Sequence, residues 1–123
     1  MEDSILRSTK KILGIDASYT IFDLDIITHI NSALSSLNQL GIGPTEGFAI
    51  EDDSAVWGDL GLPANQEGMV KPYVYLKTRM LFDPPGTSYL IEAMKDQIRE
   101  HEWRLSTFRE ETIPPFLPKK ARD

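Results

Sequence analysis

The sequence predicts an all-α fold: a small bundle of about four principal helices, with an irregular central loop and an extended C-terminal tail. Apolar residues recur at helical spacing in four segments of the chain, and glycine and proline residues separate these segments. Apolar residues make up 41% of the 123 residues and charged residues 26%, which is typical of a globular protein. A chain of this length can bury one modest core.

The first helix is predicted over residues 3–13. Its apolar residues follow helical spacing: Ile5, Leu6, Ile12 and Leu13. Asp3 or Ser4 can cap the start, and Gly14 is suited to end the helix.

The second helix is predicted over residues 23–40 and has the clearest pattern in the chain. Asp23 is a good N-cap residue, and Gly41 suits the position just beyond the end. The apolar residues follow 3-4-3 spacing and must face a core: Ile27, Ile30, Leu34 and Leu37.

Residues 41–65 predict an ordered loop, because glycine and proline interrupt every candidate element there. Ser54 can cap a single helical turn that contains Trp57. We expect Phe48 and Trp57 to pin this loop to the core.

The third helix is predicted over residues 66–82, with Asn65 as a cap and with Pro72, which can kink a helix, near its first turns. Its apolar stripe contains these residues: Met69, Tyr73, Leu76 and Met80. Residues 83–86, Asp-Pro-Pro-Gly, end it.

The last helix begins at a cap formed by Thr87 or Ser88. Its apolar stripe contains these residues: Ile91, Met94, Ile98 and Leu105. Three ion pairs are predicted on its exposed side: Glu92 with Lys95, Asp96 with Arg99, and Glu100 with Arg104.

The chain therefore divides into a helical domain over residues 1–111 and an extended, proline-rich tail over residues 112–123. Three prolines forbid a regular helix in the tail.

Composition excludes several classes of function. The formal net charge of −6 argues against binding to a phosphate backbone as the main role, because that role needs a cationic face. The chain has no cysteine, so disulfides and thiolate chemistry are excluded. We expect neither a signal peptide nor a membrane span.

A search for catalytic patterns finds none, so the sequence predicts no enzyme, no metal site and no cofactor. His101-Glu102 begins a metalloprotease-like motif, but Leu105 stands where the second histidine is needed, and His29 is on another helix. Gly41, Gly43 and Gly47 do not form a phosphate loop, and the acidic run 51–53 lacks calcium-loop spacing.

Aromatic and arginine residues are the more informative set, because a core of this size cannot hold all of them and both types are favoured in protein interfaces. The sequence predicts a subunit interface from these residues: Trp57, Tyr73, Tyr75, Arg79, Phe82, Trp103 and Arg104. In the tail, Phe116 and Leu117 are apolar, and we expect them to dock on a partner.

Four strings carry a resemblance to a known family: DIITHINSALSSLNQLGIGP, AVWGDL, MVKPYVYLKTRMLFDPPGTSYLIEAM and EHEWRL. In this order and spacing, over roughly residues 25–105, the sequence resembles the head–tail connector (adaptor) proteins of tailed bacteriophages.

The resemblance implies a helical connector domain that forms a homo-oligomeric ring, dodecameric in the virion, beneath the portal protein. Such a ring extends the DNA channel, lets DNA pass without sequence-specific binding, and offers a surface to the next connector or tail protein. The resemblance also implies a portal-docking role for tail residues: Ile113, Pro114, Pro115, Phe116, Leu117, Pro118, Lys119, Lys120 and Arg122. It places the protein at the head–tail interface of the virion, after synthesis in the host bacterial cytoplasm.

Two other classes of protein remain as alternatives. A small helical regulatory module, such as a repressor or antitoxin, needs a basic recognition helix, whereas the charges of the last helix are balanced. A small terminase-like ring protein also needs to bind DNA. An enzyme that used Glu102 or Asp83 with a histidine is the least favoured interpretation.

Overall fold

The computed structural model describes residues 4–111, and over that range the chain forms four α-helices, a short 3₁₀ turn and no strand. The elements are α1 (Ile5–Ile12), α2 (Asp23–Gln39), the 3₁₀ turn (Trp57–Leu60), α3 (Ala64–Phe82) and α4 (Ser88–Glu111). The prediction of a small all-α bundle is confirmed.

Several helix ends follow the local sequence. The Ser4 hydroxyl accepts a hydrogen bond from the Arg7 backbone N–H at 3.2 Å and so caps α1. Gly14 and Gly41 follow the ends of α1 and α2 with φ of 79° and 84°, a left-handed conformation that favours glycine. The Thr87 hydroxyl accepts from the Leu90 N–H at 3.3 Å at the start of α4.

The prediction that Asp23 caps α2 is wrong. Asp23 is the first residue of the helix, and Phe22 stands at the cap position without a capping side chain. The Asp23 carboxylate instead lies 2.8 Å from the ammonium group of Lys10 on α1. The Asp23 carboxylate therefore pairs with a buried cation, whereas the local pattern predicted that it would cap the helix.

The predicted start of α3 is also wrong. The helix begins at Ala64, with Pro63 rather than Asn65 at the cap position. Pro72 therefore lies well inside α3 and not in its first turns, and the helix continues through it to Phe82. The carbonyl of Gly68, which Pro72 leaves without its helical donor, belongs to an exposed residue and can bond water.

Antiparallel helices α2 and α3 form the centre of the bundle. Phe22 at the start of α2 packs against Phe82 at the end of α3, with ring centroids 5.4 Å apart. The short α1 packs against both helices, whereas α4 packs chiefly on α3. The core residues with the least exposure come from all four helices: Ile5, Ile26, Ile30, Ala33, Val70, Tyr73, Val74 and Leu105.

The central loop is ordered by specific bonds to the helices. The Asn31 side chain accepts from the Ile50 N–H at 2.7 Å and donates to the Ile50 carbonyl at 3.0 Å. Trp57 is buried, and its indole N–H donates to the Ser8 hydroxyl at 3.0 Å. Phe48 is partly buried against the core. The prediction that Phe48 and Trp57 pin the loop is confirmed.

The 3₁₀ turn is capped by Asp59, whose carboxylate accepts from the Val56 N–H at 2.9 Å. The prediction that Ser54 caps this turn is wrong.

Candidate assembly surfaces

The residues predicted for a subunit interface do not share one environment. Trp57 and Tyr73 are only 2% and 0% exposed, so they stabilise the subunit itself and have no side-chain surface for a neighbour. Tyr75 is half-buried and packs edge-on against Trp57, with ring centroids 5.9 Å apart. We therefore remove Trp57 and Tyr73 from the proposed interface, because core packing already uses these side chains.

The remaining predicted residues retain accessible surface. Arg79, Trp103 and Arg104 are exposed, and Trp103 is 68% exposed. Phe82 is partly buried between Phe22 and the ring of His29. The structure brings Trp103 and Arg104 together on α4, while Arg79 and Phe82 lie on α3.

A polar contact fixes α4 on α3. The Tyr73 hydroxyl donates to the Glu102 carboxylate at 2.7 Å, and the Lys77 ammonium lies 3.9 Å from the same carboxylate. Burial raises the pKa of the Tyr73 phenol above its ordinary value, and the hydrogen bond to Glu102 and its negative charge raise the pKa further. The neutral phenol is therefore favoured in the folded state.

We expect the free energy of unfolding to decrease at alkaline pH, because this contact requires the neutral Tyr73 phenol. The unfolded chain ionises its tyrosines near pH 10, whereas folded Tyr73 stays protonated at that pH. A raised folded-state pKa means that the stabilisation is complete below about pH 10 and is lost as the pH rises above it. Urea unfolding between pH 8 and 11 should show this loss, and Tyr73→Phe should lack the part due to Tyr73. The exposed Tyr89→Phe is the control and should behave as the unsubstituted chain does; equal alkaline slopes in all three chains would contradict the assignment.

Helix α4 presents a second face, opposite its packed side. The residues on this face follow 4-3-4-3-4 spacing, and we call them the outer face of α4: Tyr89, Ala93, Asp96, Glu100, Trp103 and Thr107. Tyr89 is 80% exposed and Trp103 is 68% exposed, and they lie about 21 Å apart along the helix. The predicted ion pairs Asp96–Arg99 and Glu100–Arg104 form beside this face. Aromatic anchors flanked by arginines are the composition of a protein-binding face.

A second apolar surface lies at the start of α2, and we call it the end patch: Tyr19, Ile21, Phe22 and Leu24. Their exposed fractions are 50%, 71%, 40% and 79%, respectively. The Tyr19 and Phe22 rings pack edge-on at 5.8 Å, and Phe22 continues onto Phe82. Sequence reasoning missed this patch. The available signal was that Ile21 and Leu24 are apolar but lie outside the stripe that α2 buries.

Lys10 anchors the segment that carries the end patch. This side chain is only 2% exposed, and its ammonium donates to the carbonyls of Ala17 and Tyr19 at 3.1 and 2.8 Å. Together with its ion pair to Asp23, these bonds tie the segment that carries the patch to α1.

The rim of the end patch is acidic. Asp16, Asp25 and Asp83 are exposed. Asp25 adjoins Leu24 and Asp83 adjoins Phe82 in the chain, while the Asp16 carbonyl accepts from the Tyr19 N–H at 3.0 Å. Hydrogen bonds from the hydroxyl and backbone N–H of Ser18 lower the pKa of the Asp16 carboxyl. The Asp16 carboxylate on the rim is therefore negatively charged at neutral pH.

Two further findings concern metal binding and membrane spans in residues 4–111. This part of the chain contains no group of three or more His, Cys, Asp and Glu residues that could hold a metal. None of its helices is both long enough and apolar enough to span a bilayer. The predicted portal-docking residues, 113–118 with Lys119, Lys120 and Arg122, lie outside the described range.

The family model for the phage connector protein matches residues 5–112. No curated protein and no solved structure gives a significant match. The family match covers all four helices, the outer face of α4, the end patch and the polar contact between α3 and α4. The resemblance inferred from the sequence is thus confirmed: this chain belongs to the phage connector protein family, whose members act structurally at the head–tail interface of the virion.

Proposed function

We propose that this protein is a head–tail connector subunit that forms a ring under the portal, extends the DNA channel and links the capsid to the tail. The family match supports the connector role. The observation that supports the ring is the presence of two unlike surfaces with exposed aromatic or apolar side chains on one subunit. These are the outer face of α4 and the end patch.

A ring needs heterologous contacts, in which one face of a subunit binds a different face of the next. The outer face of α4 points away from α3, whereas the end patch lies at the start of α2, beside the end of α3. Two different exposed surfaces on one subunit meet this requirement. A symmetric dimer needs only one such surface.

The test is native mass measured against concentration, with negative-stain images of the same samples. We expect a large cyclic oligomer with a central hole. The resemblance implies twelve subunits in this ring. A dimer that never grows at high concentration would contradict the proposal. If the isolated chain is monomeric, the same images are taken after mixing with portal protein, and absence of a ring there would refute it.

The DNA channel is part of the same proposal. A net charge of −6 suits a passage through which DNA slides without sticking, because like charges repel. Asp→Asn and Glu→Gln substitutions of the exposed carboxylates that line the hole should slow DNA ejection or cause DNA to be retained in the channel. Unchanged ejection would remove this part of the proposal. The portal-docking role of residues 113–122 remains a prediction of the resemblance.

A further inference from the structure

Charge is distributed very unevenly along the chain. Between Ile12 and Val70 there is no Lys or Arg, but there are nine acidic residues: Asp16, Asp23, Asp25, Glu46, Glu51, Asp52, Asp53, Asp59 and Glu67. The end patch and most of its rim belong to this segment. A partner for the patch should therefore combine apolar side chains with positive charge.

The C-terminal tail of this same chain has that chemistry. Phe116 and Leu117 are followed by Lys119, Lys120 and Arg122, and Asp123 is the single acid among residues 112–123. An apolar pair followed by three cations complements an apolar patch with an acidic rim.

Phe116 cannot reach the patch of its own subunit. Leu81 lines one groove with Ile98, so the end of α3 is level with that part of α4. Helix α4 then rises about 20 Å from Ile98 to Glu111, and the patch lies at least one helix spacing of about 8–10 Å to the side. Phe116 is five residues beyond Glu111 and reaches at most about 18 Å at full extension.

We propose that the tail of one copy docks on the end patch of a neighbouring copy. Phe116 and Leu117 cover the patch, and the following cations lie beside Asp16, Asp25 and Asp83. This inference rests on the ring proposed above. It gives the tail an acceptor inside that ring, as an alternative to the portal docking that the resemblance implies. The tail of each copy then binds the next copy, which adds a second heterologous contact to the ring.

The natural absence of cysteine provides a direct test in the full-length chain. Leu24→Cys is made in the patch, where the side chain is 79% exposed, and Leu117→Cys is made in the tail. After mild oxidation, a non-reducing gel should show a ladder of covalent dimers, trimers and larger species. The matched control pairs Leu117→Cys with Gln39→Cys, an exposed position at the opposite end of α2. We expect the ladder to be about ten-fold stronger for the patch pair than for the control.

The native mass of each sample separates failure of this inference from failure of the ring. A ring without a ladder overturns tail docking and leaves the proposed function intact; if portal binding then requires the tail, the portal is its acceptor. A fast-migrating monomer with an internal disulfide would show that the tail reaches its own patch and would also overturn the inference. A chain that stays monomeric and without cross-links overturns docking between copies, and the ring is then tested with portal protein.

Discussion

Trp103→Ala should weaken the contact between subunits by about 30-fold or more while leaving the fold unchanged. The indole is 68% exposed on the outer face of α4, whereas the packed side of this helix is carried by Ile98 and Leu105. Truncation of a central aromatic anchor typically costs about 2 kcal/mol or more of binding free energy. Because every subunit of a ring uses this face, the loss applies to each contact.

The measurement is native mass over a concentration series, with thermal unfolding of the same samples. Gln97→Ala is the matched control, since Gln97 is exposed on the same helix but lies off the outer face. We expect Gln97→Ala to assemble normally. If Trp103→Ala assembles at the same concentration as the control, the outer face of α4 is not the contact and the ring must use other surfaces.

Lys10→Met should lower the free energy of unfolding by up to about 3 kcal/mol, because removing the buried cation leaves Asp23 unpaired, while the Asp23 side chain, 25% exposed, keeps part of its hydration. The substitution removes the cation 2.8 Å from Asp23 and the donor to two backbone carbonyls. It should also loosen the segment that carries the end patch, and so weaken assembly beyond the loss of stability.

Lys11→Met is the control, because Lys11 is the adjacent residue of α1 and is exposed. We expect its effect to be within about 0.5 kcal/mol, as for most surface substitutions. The double substitution Lys10→Met with Asp23→Leu should recover part of the loss, since no unpaired carboxylate remains. Urea unfolding at subunit concentrations below assembly measures all three. Equal stability of Lys10→Met and Lys11→Met would show that the buried pair contributes little.

Local pattern determined which segments are helical. The stripe Ile27, Ile30, Leu34 and Leu37 predicted α2, and glycines at positions 14 and 41 predicted where α1 and α2 end. Both signals act within a few residues of the chain, through burial of one helix face and through left-handed backbone conformations. The strings that resemble connector proteins are likewise a property of sequence alone, and the family match confirms them.

Long-range partners decided what local pattern could not. Asp23 is a good cap by type, but the buried Lys10 lies 2.8 Å away only after α1 packs on α2. Trp57 and Tyr73 are as aromatic as Trp103, yet the first two fill the core and the third is exposed. Residue type sets how favourable burial is, while the choice of which side chains are buried depends on which helix faces meet. The sequence by itself therefore determined the helices and the family, and the tertiary structure alone decided which apolar residues remain for a neighbouring subunit.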